Sequence, residues 1–493
     1  MLINCAVHNM IHKFIIPRNT WLAKVEKSLF NNAFFAGLTS LSDILFLVLL
    51  IISGRYLGAE DFGVFSTSLA ISTLLMYGTN LGLDSLAIRK IAIDKSISNL
   101  MFGDLVIWKA LVSTAFISIL FGAIYILSDN IKIQSIVYIL CIAALFRSFN
   151  ISCRSILQAR GRFDIESYIV IYERIFIFLI GIYVLSHGMG LVALAYTFLV
   201  VRFSALLIYF FLLYKLFGHA LYRPIGRHSI TFQKEALPFG LSIMVYGLFS
   251  QVDILLLSYF KSDAETGIFS AAYKLYEGFL IISLVLSSIV YPRLSNYSEN
   301  NIEKFYYYTN QITKILILSG FIIITAIMLY SDYIIRLFFG TGFSSSADLL
   351  RILSISILLA YFGSFLFTIF RSIGQQANIL KIMLLSLFTK SMANFIFIPA
   401  YSEHGAAFGV LAGTLTISIA AYFMLENTGH LRDEVASTFV RSLMLFPAIY
   451  CVCSLFQDHL YVSITLFVIL SVTLSLLFRI ARIEELRTLF FAK

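Results

Sequence analysis

The stretch SGRYLGAEDFGVFSTSLAISTLLMYGTNLGLDSLAIRKIA, residues 53–92, decides how this chain folds. An apolar segment precedes it, a short polar turn carries Glu60 and Asp61, and a second apolar run leads to the basic pair Arg89 and Lys90. Two apolar segments joined by a short polar turn predict a helical hairpin. The two carboxylates are then turn residues rather than catalytic groups. Arg89 is a basic residue that fixes which end of the hairpin faces the cytoplasm.

A weaker copy of this hairpin lies in the second half of the chain. GVFS at 63–66 aligns with GIFS at 267–270, and in the same register Arg89 aligns with Arg293. Further matches pair 155–162 with 368–375 and 190–195 with 405–410. Six predicted helices separate the members of each pair, and an even number preserves orientation. The sequence therefore predicts two parallel repeats related by an axis along the membrane normal.

The composition is that of a polytopic membrane protein. Of 493 residues, 59% are hydrophobic and 13% are charged, and the mean hydropathy is +0.89. Soluble domains carry about 25% charged residues. The net charge of +9 reflects basic loops rather than a nucleic-acid partner. Five cysteines without a C-x-x-C pair indicate neither a disulfide framework nor a metal site, and nothing in the sequence calls for a cofactor.

The apolar segments predict an all-α fold of about fourteen transmembrane helices, each near the length that spans a bilayer. Their predicted bounds are 29–53, 62–83, 104–127, 133–153, 168–186, 190–214, 237–259, 266–290, 312–330, 347–370, 380–399, 405–425, 437–455 and 460–478. The resulting organisation is an N-terminal tail at 1–28, an N-lobe at 29–217, a linker at 218–236, a C-lobe at 237–427, helices 13 and 14 at 428–480, and a C-terminal tail at 481–493.

The basic residues of the loops test this helix map. Twenty-three Lys and Arg residues fall in the segments on one side of the membrane and four on the other. A missed or extra helix would scramble this alternation. By the positive-inside rule, the sequence predicts that both termini are cytoplasmic.

Nine basic residues remain, and all lie in or near predicted spans: Lys109, Arg147, Arg174, Arg202, Lys274, Lys314, Arg351, Lys390 and Arg441. A charge at the bilayer centre costs on the order of 3 kcal/mol, so such residues face a cavity or a partner. Those near helix ends are expected to snorkel to the interface, namely Lys109, Lys314, Arg351 and Arg441. Four deeper residues are the candidates for a cationic binding site: Arg147, Arg174, Arg202 and Lys274.

Four acidic residues also lie within the predicted spans, and they are candidates for ion coupling or ion pairing: Asp43, Glu173, Asp253 and Glu277. Glu173 adjoins Arg174 but points to a different helix face. Lys274 and Glu277 are three positions apart and can form a pair, which serves either the site or the structure alone. Asp43 and Asp253 occupy equivalent helices, and both are placed to couple transport to protons or sodium, or to pair with the arginines.

A cationic cavity predicts an anionic cargo, and planar arginine donors suit a phosphate or diphosphate. The sequence has no P-loop, no H-E-x-x-H and no G-x-S-x-G motif, so it indicates a transporter without catalytic residues.

Several of these motifs also carry a family resemblance. The runs at 54–66 and 81–92 resemble the Wzx-type polysaccharide transporters, which are oligosaccharide flippases of the multidrug/oligosaccharidyl-lipid/polysaccharide (MOP) exporter superfamily. The second-half signature of that family resembles LPFGL at 237–241, Asp253, GIFSAAYK at 267–274 and YPRL at 291–294. The similarity spans the chain from position 29 to about position 425.

The resemblance implies two six-helix lobes around a central cavity and an alternating-access cycle. The implied cargo is an undecaprenyl-pyrophosphate-linked oligosaccharide, moved outward across the bacterial inner membrane for O-antigen (lipopolysaccharide), capsule or exopolysaccharide synthesis. The implied partners are membrane lipids, a polysaccharide polymerase and a chain-length regulator. Helices 13 and 14 would either hold the lipid tail or only pack against the lobes.

Two alternatives stay open. A cation-coupled multidrug exporter of the same superfamily should have a net acidic cavity. A membrane polysaccharide polymerase, ligase or glycosyltransferase should have a large external loop, whereas the longest external loop predicted here covers only positions 331–346, between the ninth and tenth helices.

Overall fold

The structure, a computed structural model, describes residues 21–94, 98–127, 131–217, 228–424, 449–455, 465–467 and 470. Within these ranges the chain is α-helical, apart from short connections and a 3-10 turn at Thr341–Phe343, and contains no β-strand. The helices are α1 Trp21–Asn80, α2 Leu83–Ile93, α3 Ser98–Leu127, α4 Ile131–Ala159, α5 Phe163–Ser186, α6 Gly190–Phe217, α7 His228–Phe260, α8 Asp263–Asn300, α9 Ile302–Phe339, α10 Ser346–Ser372, α11 Gln376–Tyr401 and α12 Glu403–Met424. All except α2 are long and apolar enough to cross a membrane.

Helix α1 is the predicted hairpin, because the chain reverses within it. Its two segments carry Phe46 and Phe65, whose rings both lie 5.9 Å from the ring of Phe198. A straight helix would separate these two residues by about 28 Å, at about 1.5 Å of rise per residue. The reversal falls at Gly58, whose backbone (φ 77°, ψ 173°) is accessible only to glycine. Segment α1a (residues 21–57) and segment α1b (residues 59–80) are therefore two separate spans.

The second predicted helix, 62–83, is broken near its end. Segment α1b stops at Asn80, and Leu81 (φ 42°) and Gly82 (φ 76°) both adopt left-handed backbone conformations. The short helix α2 then begins at Leu83 in a new direction. The break places Asp84 inside the helix bundle, where only 4% of its surface is exposed.

The helices form two bundles with matched packing. In the first bundle α1 packs on α4 and α5, and α4 packs on α6. In the second, α8 packs on α10, α7 packs on α11, and α10 packs on α12. The spans of α1 correspond to α7 and α8, so each of these contacts in one bundle has its counterpart in the other. The predicted architecture of two parallel six-helix lobes is confirmed.

The two lobes cross at a pair of glycines, one from each copy of the repeat. A Cβ added to Gly63 would lie 1.8 Å from the carbonyl oxygen of Asp263, and one added to Gly267 would lie 1.8 Å from the carbonyl oxygen of Ala59. Asp263 is the repeat equivalent of Ala59, so the contact is reciprocal. Only glycine allows two backbones to approach this closely. We call this contact the glycine crossing, and the face of the protein that carries Gly58 the Gly58 side.

A second inter-lobe contact lies toward the opposite face, which we call the Gly82 side. A Cβ on Gly82 would lie 2.4 Å from the backbone nitrogen of Gly240 on α7. An ion pair between Lys90 and Glu235, with an N–O distance of 2.6 Å, closes the same region. Segment α1b therefore contacts the second lobe near both of its ends.

Several helices extend beyond their predicted bounds because side-chain caps fix their starts. Helix α9 begins at Ile302, before the predicted position 312, because Asn301 accepts a hydrogen bond from the backbone nitrogen of Lys304. Helix α8 starts with a capping box in which Ser262 and Glu265 bond reciprocally. The connection from α9 to α10 shrinks to 340–345, well short of the predicted loop at 331–346. Helix α7 begins at His228, so part of the predicted linker is helical.

Helices 13 and 14 and both tails fall largely outside the described residues. The parts that are described pack on the second lobe: Ile449, Cys453 and Phe467 join a hydrophobic cluster with Phe321 of α9 and Leu358 of α10. The ring of Phe467 lies 6.3 Å from that of Tyr330.

Candidate functional site

Three arginines of the first lobe lie at mid-membrane depth. Arg147, Arg174 and Arg202 stand close to the midpoints of α4, α5 and α6, respectively. Two of them are buried, since 6% of the Arg174 side chain and 5% of the Arg202 side chain are exposed. The Arg147 side chain is 24% exposed. Charges at this depth need partners or a polar space, so their surroundings decide their role.

Glu173 lies between two of these arginines. Its Oε1 atom is 3.7 Å from Nη1 of Arg147 and 3.7 Å from Nε of Arg202. Both distances are within ion-pair range but beyond that of a direct hydrogen bond. One carboxylate is therefore shared loosely between two guanidinium groups.

The third arginine turns to the other side of α5. Nη2 of Arg174 lies 2.7 Å from Oδ1 of Asp43 on segment α1a. Glu173 and Arg174 thus reach different neighbours, as predicted from their adjacent positions. The five residues Asp43, Arg147, Glu173, Arg174 and Arg202 form what we call the arginine cluster, with three positive and two negative side chains and a net charge of +1.

An aromatic pair supports two arginines of the cluster. The guanidinium carbon of Arg174 lies 4.8 Å from the centroid of the Phe46 ring, and that of Arg202 lies 5.2 Å from the Phe198 ring. The two rings contact each other edge to face. Cation–π contacts of this kind hold a guanidinium plane without consuming its N–H donors.

Several polar atoms of the cluster are left without a hydrogen-bond partner among the described residues. The donors are Nε and Nη1 of Arg174 and Nε of Arg202, and Oε1 of Glu173 is likewise unpaired. Buried polar atoms of native proteins are nearly always hydrogen-bonded, so these donors are available to an acceptor that enters the cluster.

The cluster lies where the two lobes meet. Tyr77 of α1b packs on Gly247 of α7, and its ring lies 6.3 Å from the ring of Tyr246. The Tyr77 hydroxyl is also close enough to Arg147 for the two groups to interact electrostatically. One turn from Asp43, the side chain of Leu47 faces Gly278 of α8. These contacts place the exposed part of the cluster beside the second lobe.

Two of the predicted site residues form a separate pair on α8. Nζ of Lys274 lies 2.7 Å from Oε2 of Glu277, as their spacing predicted, and 5.9 Å from the centroid of the Tyr273 ring. No contact among the described residues joins Lys274 to the arginines. The structure therefore brings five of the eight predicted site residues together and leaves this pair in the other lobe.

Asp253 is the eighth predicted residue, and it does not pair with the arginines, which was one of the two roles predicted for it. Its Oδ2 atom lies 2.5 Å from Nζ of Lys390, Asn394 donates a hydrogen bond to its Oδ1 atom, and both charged side chains are 1% exposed. The ammonium also donates to the carbonyl oxygen of Phe249 at 2.7 Å. Asp253 thus pairs inside the second lobe, between α7 and α11, and not with the arginines.

Lys109 does not snorkel, which corrects a second prediction. It is fully buried, and its ammonium donates to Oδ2 of Asp84 at 2.9 Å, to the carbonyl oxygen of Ser148 at 2.8 Å and to Oγ of Ser152 at 2.6 Å. The break at Leu81 creates this partner by turning Asp84 inward.

Arg351 does lie near a helix end, as predicted. It pairs there with Asp332 and Asp348, and a third of its side chain is exposed.

Lys390 and Asn394 are the residues that the sequence left without a role. They are four positions apart on α11 and hence on one helix face, so their spacing indicates that both side chains can contact the same acidic residue. Among the described residues, no group of three or more His, Cys, Asp or Glu is arranged to hold a metal ion.

Solved structures with a similar fold are transporters. The chain is similar to the lipid II flippase MurJ in an inward closed conformation, with a TM-score of 0.74, 16% identity, and coverage of 91% of this chain and 99% of that chain. It is also similar to an inward-facing multidrug resistance MATE family transporter of the MOP superfamily, with a TM-score of 0.63, 18% identity, and coverage of 80% and 95%. At these identities the similarity establishes the fold. The fold is that of the multi-pass membrane transporters of the MOP superfamily.

The family follows from the sequence comparisons. Residues 29–298, more than half of the chain, match the family described as polysaccharide biosynthesis protein, and the chain belongs to it. Residues 238–399 also match the MatE family. The capsular polysaccharide biosynthesis protein CapF of Staphylococcus aureus is 26% identical over 193 residues, or 39% of this chain. The matched region spans about half (48%) of that relative's length.

Proposed function

We propose that this protein is a flippase that moves an undecaprenyl-pyrophosphate-linked oligosaccharide from the cytoplasmic to the outer leaflet by alternating access. The observation that carries the proposal is the arginine cluster at mid-membrane depth, with guanidinium donors of Arg174 and Arg202 left unpaired among the described residues. The family membership and the name of the partial relative, a capsular polysaccharide biosynthesis protein, support the same cargo class.

The chemistry of the cluster suits a diphosphate. Guanidinium groups present planar, paired donors to phosphate oxygens and keep their charge when buried. A charged sugar-phosphate headgroup cannot cross bare hydrocarbon, because each unpaired polar group costs several kcal/mol there. The cluster would supply polar groups for the headgroup halfway across, and Arg147, the least buried of the three arginines, would meet it first.

We propose the following orientation in the bacterial inner membrane. The Gly58 side faces outward, and the Gly82 side and both termini face the cytoplasm. The distribution of loop charges supports this, because Arg89, Lys90, Arg154 and Arg162 all lie on or near the Gly82 side. The headgroup would enter from the Gly82 side and leave past the glycine crossing. A polymerase and a chain-length regulator would act on the cargo after it has crossed.

The test measures on which leaflet the lipid-linked oligosaccharide accumulates. Cells that lack the chain are complemented with the wild type, with Arg147→Ala, or with Arg351→Ala as a matched control for loss of a basic residue outside the cluster. We expect cells with no chain or with Arg147→Ala to accumulate the oligosaccharide on the cytoplasmic leaflet and to lose surface polysaccharide. The control should behave as the wild type. Normal surface polysaccharide with Arg147→Ala, at an equal protein level, would refute the role of the cluster.

The match of residues 238–399 to the MatE family supports a second candidate function, that of a multidrug exporter. The cargo of a cation-coupled drug exporter is usually cationic, which the net charge of +1 in the arginine cluster disfavours. The two functions separate in one measurement. Deletion of an exporter would sensitise cells to cationic drugs and leave surface polysaccharide intact.

A further inference from the structure

Glu173 belongs to a ladder of two Arg–Glu pairs on the same two helices. Arg154 and Glu166 form one rung between α4 and α5, and Arg147 and Glu173 form the other, about two helical turns away on each helix. The first rung is tight: Nε and Nη2 of Arg154 donate to Oε1 of Glu166 at 2.9 and 2.6 Å. The second rung is open, with a nearest distance of 3.7 Å.

The open rung is a local feature of the cluster and not of the helix pair. Arg202 attracts the same carboxylate oxygen of Glu173 from α6, also at 3.7 Å, so neither arginine has it alone. Oε1 of Glu173 accepts no hydrogen bond among the described residues, although only 9% of the side chain is exposed. The carboxylate is shared by two guanidinium groups and fully satisfies neither.

We propose that Glu173 is a resident counter-anion, which holds Arg147 and Arg202 together while the site is empty and limits how tightly the site retains its cargo. The inference rests on the proposed function and concerns the release of the same diphosphate. A bound diphosphate would take over the donors of the two arginines. It would then lie close to a carboxylate of the same sign, and that repulsion favours its departure.

The charges of the cluster determine how much the affinity for a diphosphate should change when Glu173 is replaced. With Glu173 the cluster carries three positive and two negative side chains. With glutamine at this position its net charge would rise by one, and a diphosphate would lose its nearest like charge. At these separations we expect affinity for inorganic pyrophosphate to rise by about tenfold or more. Tighter retention would slow transport, because the cargo must leave after each cycle.

The experiment compares three forms of the purified full-length chain: the wild type, Glu173→Gln and the matched control Glu166→Gln. Binding of inorganic pyrophosphate is measured by calorimetry, and transport is measured by surface polysaccharide in cells. We expect Glu173→Gln to bind about tenfold or more tightly and to transport more slowly. Glu166→Gln removes a carboxylate from the same helix, and it should bind as the wild type does.

The outcomes separate the inference from the proposed function. Equal binding of pyrophosphate by the wild type and Glu173→Gln overturns the inference and leaves the proposed function standing. Weaker binding by Glu173→Gln also overturns only the inference, because Glu173 would then only position the arginines. No binding by any form overturns both. If Glu173→Gln yields no folded protein, Glu173→Ser removes the same charge with a smaller side chain and should likewise bind pyrophosphate more tightly than the wild type.

Discussion

The two lobes share one fold, but the arginine cluster of the first lobe and the Lys390–Asp253 pair of the second lobe hold their charges in opposite ways. In the second lobe, Lys390 and Asp253 approach to 2.5 Å, both are 1% exposed, and Asn394 and a backbone carbonyl add further hydrogen bonds. In the first lobe, three arginines share two carboxylates, and Glu173 stands 3.7 Å from each of its partners. The Lys390–Asp253 pair is a close pair whose charges face each other, whereas the open, cationic cluster is placed to bind an anion.

The repeat alignment shows how far the two lobes have diverged. Extending the match of 155–162 with 368–375 places Arg147 opposite Ala360, and extending that of 190–195 with 405–410 places Arg202 opposite Ile417. Ile417 is buried in the apolar core of the second lobe. Duplication therefore preserved the helix packing, while these two arginines are present in one copy only. Several substitutions test this difference through their effects on the free energy of unfolding.

Lys390→Met should have the largest effect. It leaves Asp253 buried without its counter-ion, which typically costs about 3–5 kcal/mol. The measurement is the unfolding temperature of the purified protein in detergent. The double variant Lys390→Met with Asp253→Asn should recover most of the loss, because no unpaired charge remains. An unchanged unfolding temperature combined with lost transport would instead assign this pair to the binding site.

Gly63→Ala and Gly267→Ala should each cost about 1–3 kcal/mol, because the added methyl overpacks a backbone contact. The contact is reciprocal, so the two losses should agree, and this is the place where the lobes are expected to behave alike. Gly122→Ala on α3 is the control, since a Cβ there meets nothing within 4 Å. Unequal losses at Gly63 and Gly267 would contradict the symmetric crossing.

Arg174→Ala should reduce the free energy of unfolding by less than about 1 kcal/mol, because its partner Asp43 is 58% exposed and can be solvated. Transport should nevertheless fall severely, and Arg174→Lys should restore it only in part, since an ammonium lacks the planar donors. The comparison pairs unfolding temperature with surface polysaccharide. A stability loss as large as that of Lys390→Met would mean that the cluster serves the structure.

Lys90→Gln should have the smallest effect, about 0.5 kcal/mol or less, because exposed ion pairs contribute little. The Lys90 and Glu235 side chains are 34% and 45% exposed. The same unfolding measurement applies, repeated at low and high salt. A salt-independent loss above about 1 kcal/mol would show that this contact does more than join two exposed charges.

Much of this architecture could be predicted from the sequence, because hydrophobic length and loop charge act locally along the chain. The hairpin at Gly58, the parallel repeat and the divergent directions of Glu173 and Arg174 follow from such local patterns. The pairing of Asp253 with Lys390 does not, since it depends on how α7 packs against α11, far apart in sequence. The burial of Lys109 depends on a backbone break at Leu81, which hydrophobicity does not record.

The ends of the helices are the second feature that the sequence predicts poorly. The predicted spans stop where apolar residues stop, whereas α9 continues to its Asn301 cap. Hydrogen bonding of backbone groups, and not burial in the membrane, sets the end of such a helix.

The glycine crossing has the form of an isologous interface, in which residue i meets j and j meets i, as in a twofold homodimer. This chain then corresponds to two such subunits joined in one polypeptide. If so, the lobes expressed as separate polypeptides should copurify, and Gly267→Leu should prevent it. In a true homodimer every charge inside one subunit would occur twice. Covalent fusion removed that constraint and allowed one subunit to carry Arg202 where the other has the apolar residue Ile417.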